Sequence, residues 1–369
     1  MALSRVFFTD VRASFRENLL DKFSRLMDTV GLKGLVPPQS LVAVKLHFGE
    51  KGNLAFIRPN FIRRIVDYLK ALGASPFLTD TNTLYVGARG DSVSHLNTAI
   101  ENGFAYDVVH APIIIGDGLR GASSAAVKID QENIKIAYIG KEIFESDILI
   151  SVAHFKGHEL SGFGGTIKNL GMGCAARQGK LAQHSGLSPK AFRKRCVGCG
   201  SCIEHCAQSA IALKDGKALI DPKRCVGCGE CIVICPNKAI DVRWNADVPF
   251  FQKKMVEYMF AVLMGKKGKV AFINFLTQIS PACDCSDHND APFVQDLGIM
   301  ASMDPVAIDQ ASVDMINRQT ALDGSCLLSN KGAGEDKFRG LYPKVDWTIQ
   351  LDYAEKLGLG QRNYELVKI

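Results

Sequence analysis

Buried-strand and amphipathic-helix patterns alternate along much of the chain. Residues 41–46 form an apolar run interrupted by one lysine, as in a strand buried on both faces, and residues 60–72 place apolar side chains at helical spacing before Gly73. Residues 77–79 return to a strand pattern. This alternation predicts an α/β fold whose Rossmann-like body has a mostly parallel sheet with flanking helices.

Further elements are predicted on both sides of a cysteine-rich stretch. They are a helix at 14–30, strands at 112–115, 148–152 and 269–275, a helix with an apolar stripe at 251–263, and a last helix beginning at Asp304-Pro305. The body is therefore predicted in two parts, residues 1–187 and 244–369, around an inserted domain at 188–243.

Composition narrows the class of protein. With 47% hydrophobic and 22% charged residues, the 369-residue chain of 40.2 kDa is typical of a globular protein. No run of about 18 apolar residues is present and the first residues lack a secretory signal pattern, so we expect a cytoplasmic protein without a membrane span. Lys and Arg exceed Asp and Glu by only 44 to 38 without a long basic block, which gives no support for a nucleic-acid partner. Twelve cysteines in a reducing compartment favour metal or redox chemistry over disulfides.

A tandem cysteine repeat is the clearest motif. The pattern C-x2-C-x2-C-x3-C begins at Cys196 and recurs from Cys225. Three thiolates two residues apart can reach three corners of an iron–sulfur cube, and the fourth ligand must come from the other repeat. The predicted ligand sets are Cys196, Cys199, Cys202 and Cys235 for one cluster and Cys225, Cys228, Cys231 and Cys206 for the other. A pair of structural zinc sites is the alternative.

Residues 188–243 resemble the two-cluster bacterial ferredoxin domain. The resemblance implies an inserted α+β domain with two 4Fe-4S clusters that carry single electrons. One departure is Ala207, which stands where a proline usually follows the fourth cysteine, whereas Pro236 keeps it in the second repeat. We expect this change to affect local rigidity more than ligation.

A second group of unusual residues follows the strand predicted at 148–152. His158 and Lys168 flank a glycine-rich segment with Gly164 and Gly165, and Cys174 lies just beyond it. Ligands bind beyond the carboxyl ends of strands in open α/β sheets, and glycines there leave N–H groups free for an anion. A dinucleotide motif at 171–176 is an alternative, but it lacks a directly preceding strand and an acidic partner.

A C-x-C pair, Cys283 and Cys285, follows the strand predicted at 269–275. Two such thiols can clamp a soft metal, and with Cys174 they are predicted to bind a further metal in the body. The alternative is two free thiols on a surface loop. His95 is expected to be solvent-facing or satisfied in the core, and Cys326 is expected to be an ordinary buried thiol.

Together these segments resemble the domain of unknown function 362 family, whose members are commonly fused to ferredoxin repeats. The resemblance rests on the segments around Lys45 and His47, Asp80 and Asn82, His154 to Cys174, Cys283 to Cys285, and Asp304 to Gln310. It adds Lys45, His47, Asp80 and Asn82 as candidate residues for binding a cofactor or substrate. The family name implies no established activity.

A more local resemblance concerns the nickel-pincer lactate racemase family. In that family a histidine acts as metal ligand and catalytic base, and a lysine ten residues later carries the covalently attached cofactor. His158 and Lys168 have the same separation. The three body cysteines are absent from that pattern and suggest a different metal.

Three hypotheses of function remain open. In the first, the chain is an iron–sulfur redox protein of the ferredoxin-linked oxidoreductase type. It transfers single electrons between its clusters and a site in the body, where His158 and Lys168 are the catalytic residues. An additional metal or organic cofactor and either a redox partner protein or a small-molecule substrate belong to this hypothesis. The second is a simple electron carrier, and the third is a scaffold for metal or cofactor maturation.

Overall fold

The computed structural model describes residues 3–85, 87–184, 189–225, 227–241 and 247–369. The strands are β1 (Ser4–Asp10), β2 (Leu41–Lys45), β3 (Ser75–Thr79), β4 (Ser124–Lys128), β5 (Ile136–Gly140), β6 (Ile148–His154), β7 (Lys156–His158), β8 (Gly162–Gly164), β9 (Lys190–Ala191), β10 (Ile211–Lys214), β11 (Lys217–Ile220), β12 (Ile240–Asp241), β13 (Val270–Leu276), β14 (Gly298–Ser302) and β15 (Tyr364–Lys368). The helices are α1 (Leu19–Val30), α2 (Leu32–Leu35), α3 (Pro59–Ala71), α4 (Ser92–Glu101), α5 (Tyr106–Val109), α6 (Lys141–Glu145), α7 (Thr166–Gly171), α8 (Arg177–His184), α9 (Ser201–Glu204), α10 (Glu230–Val233), α11 (Val248–Met264), α12 (Pro305–Asn317), α13 (Lys337–Leu341) and α14 (Thr348–Lys356). Within these ranges no helix has the length and apolar character needed to cross a membrane.

Seven strands form one sheet in the order β15-β1-β14-β13-β6-β2-β3. β6 is parallel to β2 and β13, β2 is parallel to β3, and β1 is parallel to β15. β14 is antiparallel to both of its neighbours, β1 and β13. The predicted α/β class with a mostly parallel sheet and flanking helices is thus confirmed.

Alternate side chains of the sheet enter two separate cores. On β13, Val270 and Phe272 belong to one core, whereas Ala271 and Ile273 belong to the other. This alternation follows from the two-residue period of a strand. The first core also takes apolar side chains from α7, α11, α12 and α14, and the second takes them from α1 and α3. Both faces of the sheet are therefore covered by helices.

Most predicted elements are present with shifted ends. The first predicted helix begins at Leu19 rather than at residue 14, because the side chain of Asn18 accepts hydrogen bonds from two N–H groups of the first turn. Asp304 caps α12 in the predicted way. The predicted strand at 112–115 is wrong, since this segment makes a single parallel bridge between Ile113 and Leu78 beside the sheet edge.

The carboxyl ends of β2, β3, β6 and β13 lie at one edge of the sheet because these four strands run in the same direction. The segments that follow them begin with Leu46, Asp80, Phe155 and Thr277. These segments carry most of the candidate residues, and their common edge positions the candidate site.

The cysteine-rich region is built from short elements. β10 and β11 form a hairpin, β9 pairs with β12, and two short helices, α9 and α10, each follow a glycine with a left-handed backbone. Its apolar residues form a third core that also includes Leu84 and Leu181 of the body. The predicted domain boundaries at 187/188 and 243/244 lie outside the described residues, so the domain limits remain a prediction.

Candidate functional site

A cavity of about 280 Å³ lies at the carboxyl edge of the parallel strands. Predicted site residues that line it are Lys45, His47, Asp80, His158, Gly165, Lys168, Cys283 and Cys285. They come from segments that follow all four parallel strands named above. The structure therefore brings together candidates that are up to 240 positions apart in the sequence.

The lining of this cavity is rich in positive charge. Among the described residues it includes five lysines and arginines, Lys45, Arg89, Lys156, Lys168 and Lys180, and two carboxylates, Asp80 and Glu159. Four of the cations are buried and Lys168 is partly buried. Such a lining favours an anionic ligand, because charges interact more strongly where water is excluded.

Lys45 and Asp80 form a buried ion pair with 3.0 Å between Nζ and Oδ1. Lys45 also donates to the Asn169 side chain at 2.9 Å, and Arg89 lies 3.6 Å from the other Asp80 oxygen. Burial alone would favour the protonated acid, but the nearby positive charges, with Lys45 the largest among them, together outweigh burial and hold the pKa of Asp80 well below its usual range. Asp80 thus stays ionised and fixes the two cations.

Two candidate histidines are held in the neutral state. Burial lowers the pKa of His158, and the nearby charges of Lys168 and Lys156 lower it further. The backbone N–H groups of Leu160 and Ser161 donate to His158 Nδ1, each at 3.2 Å. Burial likewise lowers the pKa of His47, with a further contribution from a neighbouring arginine. Neutral rings here provide hydrogen bonds rather than positive charge.

Cys283 is a buried thiol beside a cation. Lys168 Nζ donates to its sulfur at 3.0 Å, and the backbone N–H of Cys285 donates to it at 3.3 Å. A hydrogen bond from the Cys285 thiol lowers the pKa of Cys283 well below its usual range, and the charge of Lys168 adds to this effect. The same hydrogen bond raises the pKa of Cys285. The contacts with Lys168 and the Cys285 N–H group therefore favour ionisation of Cys283 over that of Cys285.

Asp284 anchors the loop between these two cysteines. Its carboxylate lies 2.8 Å from His154 Nδ1 and 3.2 Å from Lys156 Nζ. His154 Nε2 donates to the carbonyl of Thr277 at 2.9 Å, which ties the loop to the end of β13. Sequence reasoning did not select Asp284, His154 or Lys156, although all three lie inside the quoted motifs. The C-x-C loop is held from both sides by charged contacts.

The glycine-rich segment has a packing role. A Cβ on Gly165 would lie 2.6 Å from the ring of Phe155 and would also overlap the carboxylate of Asp309. That carboxylate accepts hydrogen bonds from the N–H groups of Thr166 and Ile167 at 2.8 Å each. The prediction that these glycines leave N–H groups free for an anion is therefore wrong at the start of α7, because Asp309 already occupies those groups.

Three predicted candidates lie outside the cavity lining. Asn82 is buried and donates to Asp117 at 2.8 Å, Cys174 is buried in the first core, and Gly164 adjoins the lining without joining it. Burial raises the pKa of Cys174 to about 11, so its thiol stays protonated at neutral pH. Cys174 thus does not face the cavity that Cys283 and Cys285 line, and a metal shared by the three remains a prediction.

Two expectations for isolated residues are corrected. His95 is fully buried, yet neither ring nitrogen has a hydrogen-bond partner among the described residues, and Asp80 Oδ2 lies 3.9 Å from its Nε2. His95 therefore does not have the satisfied environment that the sequence suggested. Cys326 is exposed rather than buried.

The eight repeat cysteines line two further cavities of about 20 Å³ each. One cavity is lined by Cys196, Cys199, Cys202 and Cys235, and the other by Cys206, Cys225, Cys228 and Cys231. Backbone N–H groups donate to the sulfurs of Cys206, Cys196 and Cys235 at 3.2, 3.4 and 3.2 Å. Each cavity thus contains three cysteines of one repeat and the fourth of the other.

The thiols of these sets disfavour ionisation in one another. Burial raises the pKa of Cys231, and its neighbours Cys228 and Cys225 raise it further. Burial and nearby thiols also raise the pKa of Cys202. Four thiolates in one small cavity therefore need a cation, which an iron–sulfur cluster supplies. No group of three potential ligands in the described ranges is close enough to hold a single metal ion. The donor set and the N–H groups directed at sulfur fit a cluster.

The second cysteine set adjoins the large cavity through Leu84. A Cβ on Gly229, next to Cys228, would lie 2.9 Å from the Leu84 side chain, and Leu84 itself lines the large cavity. Beside this contact, Arg177 of the body forms an ion pair with Glu230 at 2.8 Å. One side chain thus separates a cysteine loop from the cavity.

A family model described as a domain of unknown function (DUF362) matches residues 42–314. The chain belongs to the DUF362 family. Curated proteins give no match to this DUF362 chain. Among solved structures it is similar to the lactate racemase apoprotein from Thermoanaerobacterium thermosaccharolyticum, with 13% identity and a TM-score of 0.44 over 85% of this chain. The DUF362 chain spans 58% of the length of that protein.

Proposed function

We propose that this DUF362 protein is an iron–sulfur redox protein that exchanges single electrons between two cysteine-bound 4Fe-4S clusters and the cavity of its α/β body. Cys196, Cys199, Cys202 and Cys235 hold one cluster, and Cys206, Cys225, Cys228 and Cys231 hold the other. Such clusters supply one-electron chemistry when bound. The remaining steps belong to the chain's own residues.

The observation that carries the proposal is the crossed arrangement of the cysteines. Four thiols converge on each small cavity, and backbone N–H groups are already directed at three of the sulfurs. Hydrogen bonds to sulfur stabilise an anionic cluster and tune its potential. Zinc sites use the same residues, but the eight cysteines in duplicated order favour cubane clusters over zinc.

The position of Leu84 supports electron exchange with the body. This side chain contacts the loop at Gly229 and also lines the cavity, so no further layer of protein separates the two at that point. Within the cavity, the buried cations hold and orient an anionic reactant, and the neutral ring of His158 offers a hydrogen bond to it. A simple carrier has no need of such a cavity.

The test is iron and sulfide analysis of the full chain purified under argon, with electron paramagnetic resonance after reduction. We expect about eight irons and eight sulfides per chain, with magnetic coupling between two clusters. Zinc in place of iron would refute the proposal. The exposed Cys326 offers a matched control, because Cys326→Ser should keep the full iron content.

Paired substitutions test the crossed ligand sets. If Cys235 completes the set of Cys196, the double variant Cys196→Ser/Cys235→Ser loses one cluster and keeps about four irons. The variant Cys225→Ser/Cys235→Ser then damages both sets and loses nearly all of its iron. The reverse pattern would show that each repeat binds its own cluster.

A further inference from the structure

We propose that Cys283 and Cys285 form a thiol–disulfide exchange site that reduces an anionic disulfide bound in the large cavity. The proposal deepens the proposed function by naming the substrate class of the body, and it rests on that function for the regeneration of the dithiol. The exchange reaction itself needs only these two cysteines and their surroundings.

Cys283 has the environment of an attacking nucleophile. Its sulfur lines the cavity, and Lys168 Nζ lies 3.0 Å away with the N–H of Cys285 at 3.3 Å. A cation and an N–H group at this distance stabilise a thiolate, which is the reactive form of cysteine. The ammonium of Lys168 also repels a metal cation. No third potential ligand joins this pair in the part of the chain that the structure describes.

Cys285 is placed as the resolving cysteine. It is two residues from Cys283, lines the same cavity, and donates a backbone hydrogen bond to the Cys283 sulfur at 3.3 Å. The hydroxyl of Tyr85 donates to the Cys285 carbonyl at 2.8 Å, and Asp284, the residue between the cysteines, is held by His154 at 2.8 Å. The loop thus holds the second sulfur beside the first, as an intramolecular disulfide requires.

The charge of the cavity selects an anionic substrate. Lys45, Arg89 and Lys156 are paired with carboxylates and Lys168 with the Cys283 sulfur, whereas among the described residues Lys180 donates only to uncharged oxygens and so leaves its charge to an incoming anion. The volume of about 280 Å³ is close to the lower end of the range for small-molecule pockets, about 300 Å³. A small disulfide with carboxylate groups matches both the size and the sign of the charge.

The reaction balances without another reagent. The Cys283 thiolate attacks one sulfur of the substrate disulfide, and the first product leaves as a thiolate. Cys285 then attacks Cys283 in the mixed disulfide, its proton passes to one of the products, and the second product leaves. One substrate disulfide becomes one thiol and one thiolate, while the protein dithiol becomes the Cys283–Cys285 disulfide.

The two proposed clusters would match the regeneration of the dithiol. Reduction of the Cys283–Cys285 disulfide to the Cys283 thiolate and the Cys285 thiol takes up two electrons and one proton. A one-electron donor protein supplies electrons singly, so two clusters that each store one electron match one disulfide. This step rests on the proposed function.

The exchange reaction can be tested on the full chain purified under argon and reduced before use. The probes are 3,3′-dithiodipropionate, an anionic disulfide, and cystamine, a cationic disulfide of similar length. In the Cys326→Ser chain, which lacks the exposed thiol, we expect the anionic probe to release two thiols per chain and to react at least about tenfold faster than cystamine. Peptide mass analysis should locate the new disulfide between Cys283 and Cys285.

Single variants separate the two roles. The Cys285→Ser chain should release one thiol from the probe and retain a mixed disulfide on Cys283. The Cys283→Ser chain should release no thiol from a probe bound in the cavity. Lys168→Met leaves both sulfurs in place and should slow exchange about tenfold at neutral pH, with Lys168→Arg less affected. Cys326→Ser should still form the disulfide between Cys283 and Cys285.

Several results would overturn the proposal. They are a Cys283→Ser chain that reacts like the parent, a Cys285→Ser chain that releases the second thiol, or equal rates for the two probes. Iron analysis of the same samples distinguishes the two proposals. Normal exchange in a chain without iron would refute the clusters alone, and full iron without exchange would refute the dithiol site alone.

Discussion

Glu230→Gln tests whether a buried ion pair fixes the cysteine-rich region to the body. The Arg177 side chain is 1% exposed and the Glu230 side chain is 16% exposed, with 2.8 Å between Nη1 and Oε2. Arg177 also donates to the carbonyls of Gly90 and Thr83. Removing the carboxylate charge therefore leaves a buried guanidinium with neutral acceptors in place of its anionic partner.

The expected cost follows from this burial. Removing one partner of a buried pair costs about 3–5 kcal/mol, and the partial exposure of Glu230 places this variant near the lower value, about 3 kcal/mol. Arg120→Gln is the matched control, because Arg120 contacts the same carboxylate at 3.0 Å but is 55% exposed. Its loss should cost about 0–1 kcal/mol.

The assay is urea unfolding under argon, followed by circular dichroism for the fold and by visible absorbance for the cluster region. The free energy of unfolding should fall by about 3 kcal/mol for Glu230→Gln and by less than about 1 kcal/mol for Arg120→Gln. Equal effects of the two substitutions would refute the reasoning, since they would show that the buried contact with Arg177 contributes no more than an exposed one.

Three further predictions concern the body. Gly165→Ala should lower the free energy of unfolding by about 1–3 kcal/mol, because the new methyl group would overlap the ring of Phe155. Gly34→Ala is the control, because a Cβ at Gly34 has no atom within 4 Å. In the same urea titration it should change the free energy of unfolding by less than about 0.5 kcal/mol. Asp304→Ala should cost about 1–2 kcal/mol by removing the cap of α12, and Asp304→Asn should cost less; equal losses would argue against the cap. Burial lowers the pKa of Lys180 to about 8, so its positive charge is present below pH 8 and lost above it. Succinate is a small dicarboxylate probe of the cavity, and its affinity, measured by calorimetry, should therefore fall about tenfold as the pH rises through 8. A Lys180→Met chain whose affinity for succinate still falls in this way would contradict the assignment of the pH dependence to Lys180.

The parallel centre of the fold could be predicted because its elements are long and strongly patterned. β6 and β13 are buried on both faces and read as continuous apolar runs. β14 could not be predicted because the residues from Gly298 to Ser302 have little intrinsic preference for a strand. This segment forms a strand because it pairs with β1 on one side and with β13 on the other. β1 and β15 pair residues about 360 positions apart, a contact that no local pattern records.

The candidate site shows the same division between local and distant information. Its location followed from the rule that ligands bind beyond parallel strand ends, so the segments containing Lys45, Lys168 and Cys283 were selected correctly as neighbours. Their individual roles were not evident. The contact between Lys168 and Cys283 joins residues 115 positions apart, and Asp309 reaches the start of α7 from 142 positions away.

The cations of the cavity differ in the partners that the fold already gives them. Lys45 is paired with Asp80, Arg89 with Glu50, and Lys156 with Asp284. Lys168 contacts the Cys283 sulfur, and Lys180 donates to the uncharged oxygens of Ala175 and Thr81. An incoming anion gains most from cations that are not already neutralised by a carboxylate. Lys180 therefore defines the anion-binding side of the cavity, whereas the charge of Lys168 is already directed at the Cys283 sulfur.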